Sequence, residues 1–342
     1  MRRLVAFGLI GALALAACGS DGSESEAKKT PSPQQSTTST TLPPPVAPLT
    51  GLPDPTLVAQ GRPVVSIKID NDNRDARPQT GLEFADIVWD EVVEGQATRF
   101  LAMFQSQSTD VVGPVRSVRL TDPLIVWPVG GIFAYSGGAR YAVDGVSRAP
   151  VKLVDESAAG DAMFRDSNRR PPHNLYARPD LLFGFGGEPV PPGPLFEYLS
   201  AKEVAAGTPV VSVRIGFSSD FAPTYTWDAA SGSWLRSTED GPFVMKSGTQ
   251  IAPKNVVVIP AVYAGGVGAI GAEAQLIGSG PVKIFTGGNL IEGTWTRVDP
   301  ATRMTFTDAT GAPIHLTPGQ TWVEIPDASY AIDVVTAPVP AP

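Results

Sequence analysis

Asp86-Ile87-Val88-Trp89-Asp90-Glu91-Val92-Val93-Glu94-Gly95-Gln96-Ala97-Thr98-Arg99-Phe100-Leu101-Ala102-Met103-Phe104-Gln105 reads as a β-hairpin. β-Branched and aromatic residues fill both arms, and Gly95-Gln96 is expected to form a two-residue turn with glycine first. Side chains alternate across a strand. Ile87, Trp89, Glu91 and Val93 therefore share one face, and Asp86, Val88, Asp90, Val92 and Glu94 the other. The two-residue turn sets Arg99 opposite Val92 and diagonal to Glu94. Glu91 then falls among apolar neighbours, where a carboxylate must be paired, hydrogen-bonded or protonated.

Outward from the hairpin, strand and helix signals mix. Val64–Ile69 is expected as a strand with a polar break, and Ile132–Ser136 as a short buried strand. Leu82–Ala85 suits one helical turn, Leu120–Val129 a helix despite Pro123, and Arg178–Phe185 a second helix with Pro179 near its start. Gly187–Pro194 is dense in glycine and proline and reads as a linker. Beyond Thr208 the pattern becomes short strands: Val210–Ile215, Thr224–Asp228, Ser233–Arg236, Val256–Val262, Val282–Phe285, Leu290–Arg297 and Thr321–Ile325. The expected class is α+β. A mixed α/β domain over residues 49–187 is followed by a mainly antiparallel β domain over 195–337, a sheet, sandwich or barrel.

The N-terminus carries an address. Arg2 and Arg3 precede the apolar run Leu4–Ala17, and Leu15-Ala16-Ala17-Cys18 is a lipobox. The run is too short to span a bilayer as a helix, so residues 1–17 read as a secretory signal. Diacylation of Cys18 would hold the protein stably on the bacterial cell membrane, outside the cytoplasm. Cys18 is the single cysteine, so no thiol remains for disulfides, thiolate metal sites or nucleophilic catalysis. Residues 18–48 are rich in Ser, Thr and Pro and read as a disordered spacer.

The formal net charge of −8 becomes −10 once Arg2 and Arg3 leave with the signal. An acidic chain excludes general nucleic-acid binding, which needs a basic footprint. Sharper motifs fail. Asp70-Asn71-Asp72-Asn73 hints at a calcium loop, but Arg74, Asp75 and Gly81 occupy positions that need a ligand, a glycine and a glutamate. Two histidines, His173 and His315, with one acylated cysteine make no zinc site. Ala134-Tyr135-Ser136-Gly137-Gly138 loosely matches a nucleophile elbow, with Asp166 and His173 in hydrolase order. However, Ala134 replaces the first glycine and no clear helix follows. Neither a P-loop nor a dinucleotide fingerprint is present, and no cofactor is expected.

Four stretches carry a family resemblance. They are Ile69-Asp70-Asn71 with Arg77-Pro78-Gln79-Thr80-Gly81-Leu82; Ala85-Asp86-Ile87-Val88 with Glu91–Gly95 and Thr98-Arg99; Gly113-Pro114-Val115-Arg116-Ser117-Val118-Arg119; and Pro172-His173-Asn174-Leu175. In this order they resemble the YerB-like bacterial lipoproteins, domain of unknown function 3048. The second half is similar to that family's C-terminal part around Asn255-Val256-Val257-Val258 and Gly319-Gln320-Thr321-Trp322. The resemblance implies a two-part envelope lipoprotein and supplies no reaction.

The charged residues supply the functional hypotheses. If Gly113–Arg119 opens a helix, Arg116 and Arg119 fall on one face, beside free backbone N–H donors, and suit a phosphate or carboxylate. The competing reading pairs these arginines with Asp86, Asp90, Glu91 or Asp122. His173 lies in a basic stretch expected to be irregular and exposed, where it could act as acid, base or phosphate donor. The leading expectation is an anionic envelope ligand held by Arg99, Arg116, Ser117, Arg119, His173 and Asn174, with Glu91 and Glu94 orienting the basic groups and the second half bracing the cleft or binding a protein partner. One alternative is a metal-independent hydrolase or transferase acting on envelope material, with Glu91 or His173 as acid/base. Another is a structural or partner-recruiting lipoprotein without a small ligand.

Overall fold

The computed structural model describes residues 45–72, 74–186, 193–200 and 203–338. The expected signal 1–17, Cys18, the spacer up to residue 44 and linker residues 187–192 lie outside the described residues. The end of the Ser/Thr/Pro stretch is already packed: Ala47 is buried, and Val46 bridges to Pro53.

Five strands organise the first half: β1 (Val65–Asn71), β2 (Ile87–Val92), β3 (Thr98–Phe104), β4 (Gly131–Tyr135) and β5 (Val151–Asp155). They lie in the order β2-β3-β1-β4-β5. β3 is antiparallel to both β1 and β2, and β4 is parallel to β1 and β5. The strand Thr321–Ile325 adds parallel to β2, and Asn255–Val258 adds parallel to Thr321–Ile325, so one sheet runs through both halves. It continues antiparallel through Gly278–Thr286 and Asn289–Arg297 to Thr208–Ile215, Thr224–Asp228 and Ser233–Thr238. The sheet is thus mixed. Phe100 and Trp322, from the two halves, meet edge to face at 5.2 Å between ring centroids, inside one contiguous core.

The mixed α/β expectation for the first half needs correction. Its helices are α1 (Asp122–Val126), α2 (Arg140–Val146) and α3 (Pro179–Leu182), beside a few 3-10 turns, so strands dominate. The expected helix over Leu120–Val129 shrinks to five residues. Pro123 suits its first turn, whereas Pro128 lacks an N–H and disfavours helix before it. The segment Gly113–Arg119 opens no helix either. It runs extended beside β1: Val115 bridges to Ile69, and the Arg116 N–H donates to the Lys68 carbonyl at 2.9 Å. A helix does come after Gly137-Gly138, namely α2, contrary to the expectation from sequence.

The hairpin register differs by one residue from the expected one. Glu91 pairs with Arg99 and Val92 with Thr98, and the Val93 N–H donates to Ala97. The loop is therefore Glu94-Gly95-Gln96, with Gly95 at φ 70° and Gln96 at φ 61°. A one-residue slip flips every side chain. Glu91 consequently shares a face with Arg99 rather than lying on the opposite one.

All residues of β1, β2 and β3 are buried, on both faces of the sheet. A strand sealed on both sides cannot send its polar residues to solvent. Lys68, Asp70, Asp90, Glu91 and Arg99 are all at most 5% exposed, and each must find a partner or remain costly.

Candidate functional site

The registers sort these charges into two clusters. Asp70, Arg99 and Glu91 are cross-strand neighbours on one face, with Lys68 beside them. Asp90 points to the other face and faces Glu324 in the register with Thr321–Ile325.

On the second face Arg236, Tyr225, Asp90 and Glu324 are all fully buried. Arg236 Nη2 lies 2.9 Å from Asp90, and its Nε donates to the Tyr225 hydroxyl at 3.0 Å. The Tyr225 hydroxyl donates to Glu324. The guanidinium sits 4.4 Å from the Phe243 ring centre and 4.9 Å from that of Trp322, a desolvated cation–π cage. One cation meets two carboxylates. Burial first, and then the charge of Glu324, raises the Asp90 carboxyl well above its ordinary range; burial likewise raises Glu324.

On the first face Lys68 is bonded to Glu91 and lies 2.7 Å from Asp122, all three fully or almost fully buried. Burial raises the Glu91 carboxyl, opposed mainly by the Lys68 charge. Asp122 also accepts the Arg119 N–H at 2.6 Å. Next along β1, Asp70 is ion-paired with Arg116 at 3.0 Å and hydrogen-bonded to His173 Nδ1 at 2.6 Å. His173 is 7% exposed rather than lying in an open loop; its bond to buried Asp70 draws the ring inward. A carboxylate on Nδ1 fixes the imidazole tautomer, as in acid/base histidines. No hydroxyl is hydrogen-bonded to His173 among the described residues. Asp166 instead bonds to Asn168, so the Ser136–Asp166–His173 grouping that the sequence motif failed to support is not assembled either.

Above this layer opens a cleft of about 650 Å³. Arg99, Arg119, Glu94 and Ser117 line it, with Tyr141 from α2 and Ile270 from the second half. Arg119 is paired with Glu94 at 2.7 Å, and its Nη1 reaches the Ser117 and Val118 carbonyls. Arg99 differs from its neighbours. It is 5% exposed, has no carboxylate within ion-pair distance among the described residues, and makes one hydrogen bond, from Nη1 to the Ser117 carbonyl at 3.0 Å. Its Nε has no hydrogen-bond partner among the described residues. Burial, then the like charges of Arg119 and Arg116, push its pKa down to about 10. It stays cationic at neutral pH, a buried charge held by a single carbonyl.

The structure thus brings Arg99, Ser117 and Arg119 together at one cleft. Arg116 acts on Arg99 through its charge while paired with Asp70, and it has a second acid, Asp72, at 3.9 Å. His173 and Asn174 do not line the cleft; the Asn174 amide oxygen is taken by Arg165 at 2.8 Å. Glu91 lies in the buried layer with Lys68 and does not line the cleft. Most of the backbone donors expected to be free along Gly113–Arg119 are occupied: the N–H groups of Val115, Arg116, Val118 and Arg119 all have acceptors. Sequence reasoning missed Lys68 and Asp70, although a lone lysine inside an apolar strand signals a buried ion pair. It also missed Tyr141 and Ile270, which no local pattern places at the cleft. Among the described residues, no group of three His, Cys, Asp or Glu side chains is arranged to hold a metal ion.

Comparison with known proteins agrees with this architecture. The chain is 30% identical over 300 residues, covering 83% of itself and 87% of the relative, to a Bacillus subtilis (strain 168) protein named "Putative lipoprotein YerB". The crystal structure of the Bacillus subtilis YerB protein matches with a TM-score of 0.72 at 27% identity, over 84% of this chain and 99% of that one. Residues 49–185 match the N-terminal domain, and residues 212–323 the C-terminal domain, of a protein family of unknown function designated DUF3048; the chain belongs to this family.

Proposed function

We propose that this protein is an exported lipoprotein, anchored through acylated Cys18, that binds an anionic envelope ligand in the Arg99 cleft. Arg99 carries the proposal. Among the described residues, this guanidinium with five donors and a desolvated charge has one hydrogen bond and no acid within ion-pair distance, and it lines an open cleft. Leaving a buried charge uncompensated is costly, and an anion removes that cost. Arg119 would supply the second fork, exchanging Glu94 for the ligand, and Arg116 adds positive potential. The lipobox supports the anchor, and the name of the Bacillus subtilis relative agrees with it.

The ion pairs Arg116–Asp70 and Arg119–Glu94 favour a second reading, in which the cluster only holds the fold and recruits partners. Calorimetric titration with inorganic pyrophosphate separates the two. Binding that disappears in Arg99→Gln and weakens in Arg119→Gln supports the ligand site. An isotherm unchanged by Arg99→Gln, or no heat with the wild type, rejects it. Loss of acylation and membrane association in Cys18→Ala tests the anchor.

A further inference from the structure

The Arg99 cleft is larger than an anion needs. Its volume of about 650 Å³ falls within the roughly 300–1,000 Å³ of sites for whole small molecules and far exceeds what an inorganic phosphate fills. Beside the charged residues its lining includes Leu120, Tyr141 and Ile270. Tyr141 on α2 is 45% exposed, and Ile270 is 84% exposed on the glycine-rich segment Ala264-Gly265-Gly266-Val267-Gly268-Ala269-Ile270-Gly271-Ala272. A Cβ built on Gly271 would lie 3.6 Å from the Tyr141 hydroxyl and 3.8 Å from Leu120 Cδ1, so the backbone next to Ile270 comes close to Tyr141 and Leu120. The segment is tied over the hairpin tip, where the Gly95 N–H donates to the Gly268 carbonyl at 2.9 Å. Single exposed apolar residues are ordinary on protein surfaces. Here Tyr141 and Ile270 line the same cleft as a buried arginine that has no ion-paired acid among the described residues, and that coincidence is what the ligand must explain.

Resting on the proposal that this cleft binds an anion, we infer that the ligand is an amphiphilic phosphate ester: its phosphate meets Arg99 and Arg119, and an aliphatic chain attached to it lies along Leu120, Tyr141 and Ile270. Two guanidinium forks match the planar pairs of phosphate oxygens. The chain would cover the exposed faces of Tyr141 and Ile270. Burying a methylene strengthens binding roughly fourfold, the equivalent of about 0.8 kcal/mol.

The test titrates the full-length protein with n-hexyl phosphate, inorganic phosphate and hexanol by calorimetry. Hexyl phosphate is expected to bind at least about tenfold more tightly than inorganic phosphate. Arg99→Gln should abolish both phosphates. Tyr141→Ser/Ile270→Ser should bring hexyl phosphate down to the affinity of inorganic phosphate while leaving the latter within about twofold. Equal affinities of hexyl phosphate and inorganic phosphate in the wild type overturn the amphiphile inference but leave the anion site standing. If neither phosphate binds, the anion site falls, and this inference with it. If hexyl phosphate binds as tightly to Arg99→Gln as to wild type, binding is apolar only and both readings are rejected.

Discussion

Replacing Arg236 with Met should cost this protein about 3–5 kcal/mol, the loss seen when one partner of a buried ion pair is removed. The upper end is expected, because Arg236 faces two fully buried carboxylates, Asp90 at 2.9 Å and Glu324 at 3.9 Å, rather than one. The cation–π cage of Phe243, Trp322 and Phe100 adds to the loss. The cost should depend on pH with a definite sign. Burial already raises both carboxyls in the wild type, and Arg236 opposes that rise. Without Arg236 the folded-state pKa values climb further, so the folded variant binds more protons than the wild type. An acid with a raised folded pKa contributes stability that is complete below its unfolded value near 4 and is lost as pH rises through the folded value. The gap between variant and wild type should therefore be larger at pH 8 than at pH 5. Urea unfolding followed by the intrinsic tryptophan fluorescence at both pH values measures it. Adding Asp90→Asn and Glu324→Gln to the variant should recover most of the loss, since the stranded charges are then gone. A loss below about 1 kcal/mol, or a gap that does not change with pH, would refute the reasoning.

Other sites carry their own expected outcomes. Lys68→Met strands Glu91 and Asp122 in the buried layer and should cost about 3–5 kcal/mol in urea unfolding, more at pH 8 than at pH 5 because burial raises Glu91. Asp86, held in the core by Gln105 and Ser106, has a carboxyl pushed up to about 6 mainly by burial. Wild-type stability should thus fall by up to about 3 kcal/mol between pH 4 and pH 7 on its account, and Asp86→Asn should flatten that slope in a pH series of urea midpoints. Gly131 sits at φ 77° with a hypothetical Cβ 2.2 Å from the Val64 carbonyl, while Gly95 at φ 70° has open space around it. Gly131→Ala should lower the melting temperature more than Gly95→Ala, whose cost is limited to about 1–2 kcal/mol of left-handed strain.

Local chemistry made much of the fold legible. Thr224–Asp228 and Thr321–Ile325 appear with the expected ends, and Pro179 opens α3 as proline does at a first helical turn. The hairpin register was not legible, because it turns on Gln96 adopting φ 61°, which a glutamine does not announce. That single residue moved Glu91 from the face opposite Arg99 to a position beside it. Burial on both faces of β1 to β3 is equally non-local. It depends on Arg236 and Trp322, more than a hundred residues away, closing the second face. For the same reason His173 reads as a loop residue in sequence, yet its ring is drawn onto Asp70 at 2.6 Å. Arg99 and Arg119 could be nominated from sequence. That Arg119 has Glu94 while Arg99 has no acid within ion-pair distance among the described residues could not.

The most direct test of the account is the stability of Arg99→Gln against wild type, with and without inorganic pyrophosphate. Among the described residues Arg99 is a buried cation with one hydrogen bond and no paired acid, so its removal should cost well under the ~3–5 kcal/mol of a broken buried ion pair, or raise stability. At about one hundred times its Kd, pyrophosphate should stabilise wild type by about 2.7 kcal/mol and leave the variant unchanged. A variant that loses several kcal/mol without ligand, together with a wild type that pyrophosphate does not stabilise, would make Arg99 part of the scaffold and contradict the ligand site.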